Sequence, residues 1–166
     1  MKITGCETHA VTVNFEGAMS GTHVVLRIRT DQGIEGIAYA SRVGPKSIRS
    51  LAMLMEGMVE SLIGKDPSNT EAIARQVFGS SLGAPVSGLE LRAPSTIDVA
   101  CWDLKGKAVG QPVYKLMGGF RDRLPISANW ALVPSPDKDR IGKHLENLIS
   151  PGFRAVVAPC GTATNG

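Results

Sequence analysis

The stretch Ala93–Gly119, APSTIDVACWDLKGKAVGQPVYKLMGG, constrains the fold of this 166-residue chain more than any other. Ile97, Ala100, Cys101, Leu104 and Ala108 recur at helical spacing, which predicts a helix with one apolar face turned to a core. Ser95 and Asp98 have capping-box spacing, and Pro94 suits a helix start. Gly110 and Pro112 suit a stop. A short apolar turn, Val113 to Met117, then ends at Gly118-Gly119. Spacing alone predicts a buried helix, a tight turn and a chain exit.

Upstream, Lys2 to Val13 reads as a strand, and Asn14 to Gly21 as a loop punctuated by Gly17 and Gly21. His23 to Thr30 alternates, with Val24, Leu26 and Ile28 on one face and Val25, Arg27 and Arg29 on the other. Asp31-Gln32-Gly33 supplies turn chemistry, and Ile34 to Ala40 returns as a third strand, so the second and third strands form an antiparallel hairpin. Ser41 to Gly44 is a second loop. Pro45 opens an amphipathic helix through Ile48, Leu51, Ala52, Met55, Met58, Val59 and Leu62, closed by Gly64. Ser68 and Glu71 form another capping-box pair for a helix running to about Phe78. Gly79 to Leu91 reads as a loop, and its glycines lack phosphate-binding spacing.

After Gly119 the pattern changes. Phe120-Arg121-Asp122-Arg123 reads as a charged linker and Leu124 to Val133 as a strand. Ser135-Pro136-Asp137 starts a helix with Ile141, Leu145 and Leu148 inward, and Phe153 to Ala158 reads as another strand. Strand, helix, strand is a βαβ unit, hence a parallel sheet.

A hydrophobic content of 43% and a charged content of 20% read as globular rather than disordered. A net charge of +3 without a dense Lys/Arg run argues against nucleic acid and anionic membrane as partners. No stretch is apolar and long enough to span a bilayer, and the N-terminus lacks a secretion signal core. Cys6, Cys101 and Cys160 are far apart and form no CxxC, so they read as buried thiols of a cytoplasmic protein. His9, His23 and His144 are scattered, and none has a partner at metal-ligand spacing. Asp98 and Asp103 lie five apart on one helix and point to different faces; Asp98 reads as a cap and Asp103 as a structural hydrogen-bonding group.

The run Ile97-Asp98-Val99-Ala100, Cys101-Trp102-Asp103-Leu104, Gly106-Lys107, Gly110-Gln111-Pro112 and Leu116-Met117-Gly118-Gly119 resembles the last helix and exit motif of the N-terminal capping domain in the mandelate racemase/muconate lactonising branch of the enolase superfamily. The resemblance implies an α+β fold: a three-stranded antiparallel sheet followed by a helical subdomain over residues 1–119, then, over 120–166, the first β/α units of an incomplete TIM-like barrel. It implies Mg²⁺-dependent proton abstraction alpha to a carboxylate, of the acid-sugar dehydratase or racemase kind, with chemistry at the C-terminal ends of barrel strands. The family's metal ligands lie on later strands, so neither metal ligand nor catalytic residue is expected here. The positions of the family's KxK lysines fall on Val157 and Pro159, which cannot carry a proton.

By the same resemblance, the loops Asn14–Thr22 and Ser41–Gly44 contact substrate, through Phe15, Glu16, Met19 and Arg42, with Asn129 near the end of the first barrel strand. Glu16 and Arg42 suit hydroxyls and a carboxylate; Phe15 and Met19 suit sealing the site. Trp102 is placed at a domain junction. The expected partners are a carboxylate substrate such as an acid sugar, a second copy of the chain, or a complementing barrel fragment. The alternatives are a non-enzymatic oligomerising module, an inactive truncated product, or an unrelated α+β ligand-binding domain.

Overall fold

The computed structural model describes residues 1–13, 21–41, 43–79 and 88–129, together with 142, 143, 146, 147, 149 and 152–157. They fall into two compact units, one holding Met1–Val13 and Gly21–Phe120, the other the described residues from Arg121 on.

The first unit opens with a sheet of order β1-β2-β3, from β1 (Ile3–Val13), β2 (Gly21–Thr30) and β3 (Glu35–Ala40), antiparallel throughout. The period-2 pattern of β2 has the expected result: Val24, Leu26 and Ile28 are wholly buried, while Arg27 and Arg29 stand on the other face. The register of β1 shifts between Ile3 and Gly5. A shift of this kind inserts a residue and reverses the alternation, so Ile3 and Cys6, at odd spacing, both turn to the core. Gly21 and Thr22, read from sequence as loop, are the first residues of β2.

Helices cover the inner face. α1 (Ile48–Glu60) packs on β1 and β2 through Leu51, Met55 and Val59, and Leu62 follows into the core. Pro45 lies in the turn ahead of α1 rather than in it. α2 (Thr70–Gly79) packs on the next helix through Ile73 and Val77. Ser68 does not cap it with Glu71. Its N–H and hydroxyl both donate to Asp66 Oδ1, at 2.9 and 2.7 Å, closing a local turn and holding that carboxyl below its usual range.

α3 (Leu89–Val109) crosses β3 and α1. Ile97, Ala100, Cys101 and Leu104 are wholly buried, each large side chain contributing about 1.5–3 kcal/mol. Ala108 is exposed, because the buried row ends at Gly106, just before the chain turns at Gly110 (φ +64°). The helix begins earlier than the capping-box reading, which makes Ser95 and Asp98 interior residues. Pro94 removes the donor for the Glu90 carbonyl, yet the helix continues. The Ser95 and Thr96 hydroxyls donate back to the Leu91 and Arg92 carbonyls, at 2.7 and 2.8 Å. Burial, with Glu71 nearby, raises the carboxyl of Asp98 above its usual range. Trp102 is half-buried, and the Lys105 ammonium lies 4.9 Å from its ring centroid. A single turn, α4 (Val113–Leu116), follows.

Two contacts hold α3 on the sheet. Gly36 lets the helix approach: a Cβ there would lie 2.3 Å from the Ala100 carbonyl oxygen and 2.6 Å from Leu104 Cγ. The second contact seals the outer edge of β3. Ile37 N–H donates to Asp103 Oδ2 at 2.8 Å, and Lys107 Nζ donates to the Glu35 carbonyl at 2.8 Å and to Asp103 at 2.6 Å. Asp103 is thus the structural hydrogen-bonding group its position suggested. Asp103→Ala is expected to cost about 1–2 kcal/mol by urea unfolding, because it removes the acceptor of an edge N–H and the counter-ion of Lys107. Asp103→Asn, which keeps an acceptor, should cost less than half of that; equal losses would show that charge alone matters.

In the second unit β4 (Ala128–Asn129) pairs in parallel with β5 (Val156–Val157), with Ala128 opposite Val156 and Asn129 opposite Val157. The parallel pairing agrees with the βαβ reading, while the described strands are shorter than expected. Among the described residues no helix is long and apolar enough to cross a membrane.

Candidate functional site

The geometry of the first unit gathers loop roots at one end of its sheet. β1 ends at Val13, β2 begins opposite it at Gly21, and β3 ends at Ala40 opposite Val24. The strands are antiparallel, so the chain leaves β1 and β3 and enters β2 at the same end. That end is fastened. Val43, itself buried, donates its N–H to the Thr22 carbonyl at 3.0 Å, and Arg92 Nη1 donates to the Ser41 carbonyl at 2.8 Å. The hydroxyls of Thr12 and Thr22 lie 3.5 Å apart, and the rings of His23 and Tyr39 meet edge to face at 6.1 Å.

Phe15, Glu16, Met19 and Arg42 lie outside the described residues, as do His144 and Pro159. Asn129 is described only by its backbone. It is the last residue of β4 and sits in register with Val157, at the first of the two expected lysine positions. A further contributor, Arg92, is not legible from sequence, where it lies between the Gly79–Leu91 loop and the Ala93–Gly119 stretch. With the helix starting at Leu89, Arg92 is a cation in the first turn, beside the positive end of the macrodipole. A base in that position signals a tertiary partner, here the Ser41 carbonyl.

Several ionisable groups of the first unit are engaged structurally. Arg29 bonds Glu7 at 2.9 Å, and Glu7 also lies 3.5 Å from His9 Nε2. Arg27 pairs with Glu35, and Glu56 accepts from Thr8. A cavity of about 310 Å³ between β1 and α1 is lined by Gly5, Cys6, Arg29, Glu56 and Glu60, with Val59 and Ile63. Burial and the nearby Glu56 push the Cys6 thiol up, while burial and Asp98 push Cys101 up to about 12. Both are therefore thiols rather than nucleophilic thiolates at neutral pH. Among the described residues no three His, Cys, Asp or Glu side chains form a group that could hold a metal ion. The described carboxylates do not fit a magnesium centre.

Residues 4–118, well over half of the chain, match the family model for the mandelate racemase / muconate lactonizing enzyme N-terminal domain. The chain belongs to this family. An N-succinyl-L-Arg/Lys racemase from Bacillus cereus is 25% identical over 98% of this chain and 45% of its own length. A D-galactonate dehydratase family member from Pseudarthrobacter chlorophenolicus is 38% identical over 86% of this chain and 37% of its own. The chain thus spans less than half the length of these curated relatives. An enolase from Bradyrhizobium, solved in complex with magnesium and mandelic acid, superposes with a TM-score of 0.82 at 26% identity, covering 93% of this chain and 44% of that one. The mandelate racemase/muconate lactonizing enzyme family thus accounts for the sheet, the helical subdomain and the parallel strand pair that follows.

Proposed function

We propose that this chain is the capping part, residues 1–119, and the barrel start, residues 120–166, of an enzyme that removes a proton alpha to a carboxylate. The reaction is of the acid-sugar dehydratase or racemase kind, and the chain supplies specificity rather than reacting groups. The carrying observation is the shared, fastened end of the sheet, from which the 14–20 and 41–44 loops both depart. The relatives are dehydratases and racemases, which supports the reaction class. In this reading Arg42 and Glu16 contact the substrate's carboxylate and hydroxyls, Phe15 and Met19 exclude water, and Asn129 sits at the barrel mouth. Any magnesium would be held by carboxylates of later barrel strands and would there supply positive charge for the negative charge that proton removal develops.

The test is complementation. The chain is co-expressed with the remaining barrel strands of the Pseudarthrobacter relative, and acid sugars are assayed with Mg²⁺ for their 2-keto products. Turnover is expected only in the complemented protein. Arg42→Ala and Glu16→Gln should each lower kcat/KM about tenfold or more, the size of a lost charged contact. Turnover indifferent to both substitutions would sink the specificity role. Absence of turnover in a well-folded complemented protein would favour an interaction module.

A further inference from the structure

Ser41 and Val43 follow the end of β3 at Ala40, and they are held from two directions. Val43 N–H is bound by the Thr22 carbonyl at the start of β2, 3.0 Å away. The Ser41 carbonyl accepts from Arg92, 51 residues away, at 2.8 Å. Arg92 also donates its backbone N–H to the Gly88 carbonyl at 3.2 Å, in the turn that opens α3. One residue therefore ties the entry of α3 to the exit of β3. A cation in a first helical turn opposes the macrodipole, so its placement there costs helix stability that the bond to Ser41 offsets. α3 itself cannot drift, because Gly36 and the Asp103–Lys107 pair lock it to β3. The guanidinium is thus a fixed strut carried on a fixed helix.

We propose that Arg92 is a positioning residue: it holds the Ser41 carbonyl beside the point where Val43 is bound to Thr22, and through this loop root sets the affinity for the substrate carboxylate. This rests on the reading that the 41–44 loop faces substrate. Arg92 touches no substrate. It acts on KM by holding the loop root in the bound geometry before binding, so that substrate does not bear that ordering cost. Its planar fork can hold a carbonyl in one direction, which a flexible ammonium does less well.

The first measurement is amide exchange of Val43 in the full 166-residue chain, followed by mass spectrometry. Arg92→Met keeps the apolar stem and removes every side-chain donor. It should speed Val43 exchange about tenfold or more while amides of β2 stay protected. Arg92→Lys keeps a cationic donor group without the planar fork and should recover part of the protection. In the complemented protein, Arg92→Met should raise KM about tenfold with kcat within about twofold, and Arg92→Lys should fall between. A merely structural role would lower both parameters with the folded fraction and would leave the KM-to-kcat split unmoved. Unchanged Val43 exchange in Arg92→Met overturns the proposal, as does faster exchange with an unchanged KM. The companion variant Arg42→Ala separates the two readings. If Arg42→Ala weakens binding and Arg92→Met does not, the loop reading stands and the Arg92 proposal falls. If Arg42→Ala has no effect, the loop reading falls and the KM role with it.

Discussion

Replacing Gly36 with alanine lowers the thermal unfolding midpoint by about 10 °C. A Cβ at this position meets the Ala100 carbonyl oxygen at 2.3 Å and Leu104 Cγ at 2.6 Å. The first neighbour is helix backbone and cannot swing aside. The second is the branch point, not the far end, of a wholly buried side chain. Relief therefore requires α3 to lift from β3, which opens the core row of Ile97, Ala100 and Leu104 and strains the Asp103 bond to Ile37. Overpacking against backbone costs about 3 kcal/mol, and about 3 °C of midpoint per kcal/mol applies to a chain of this size. A double variant with Leu104→Ala removes one of the two clashes. It should be less destabilised than the sum of the single variants, because the sites share one contact. Differential scanning calorimetry checks both points, and a Gly36→Ala midpoint within about 2 °C of wild type would refute the close-approach account.

Raising the pH above about 9 erodes stability through Cys101, by about 1.4 kcal/mol for each pH unit, up to about pH 12. The sign follows from proton counting. The unfolded thiol ionises near 9, while the folded thiol is pushed up to about 12 by burial, with Asp98 adding to it. Between those values the unfolded state holds fewer protons, so rising pH favours it. The contribution is fully present below about pH 9 and gone near 12. Cys101→Ala is the reference. At pH 7 it should be less stable than wild type by about 1 kcal/mol, for the lost packing. At pH 10.5 the order should reverse, since only wild type carries a buried group that resists ionisation. Urea midpoints of both proteins between pH 7 and 10.5 decide it. A constant difference across that range would mean that Cys101 ionises in place.

What could be read from sequence was what depends on local period. Val24, Leu26 and Ile28 announce a buried face because alternation is a property of the strand itself. Ile97, Ala100, Cys101 and Leu104 do the same for α3, while Ala108 keeps the period yet lies past the end of the buried row. The start of α3 is not legible locally, because Pro94 and Ser95 carry start chemistry yet both lie inside a helix that begins at Leu89. The register shift that turns Ile3 and Cys6 inward, and the reason for glycine at position 36, depend on elements distant in sequence and left no local trace. The candidate site divides likewise. Family resemblance named Phe15, Glu16, Met19 and Arg42, which lie outside the described residues. The long-range bond from Arg92 to Ser41 emerged only from the fold.

The Asp103–Lys107 pair does more than cover an edge. A strand edge alternates donor and acceptor, and this pair presents an acceptor to Ile37 N–H and a donor to the Glu35 carbonyl. If α3 slid along β3 to the neighbouring setting, the carboxylate would face a carbonyl and the ammonium an N–H, so both contacts would turn repulsive. The helix and strand are keyed by polarity, much as a plug is by unequal pins. A slid α3 would also leave the close approach that Gly36 allows, so steric fit and charge point to the same setting. The two side chains that seal the strand edge therefore also fix the register of α3 on β3, at the position where hydrophobic contact and charge agree.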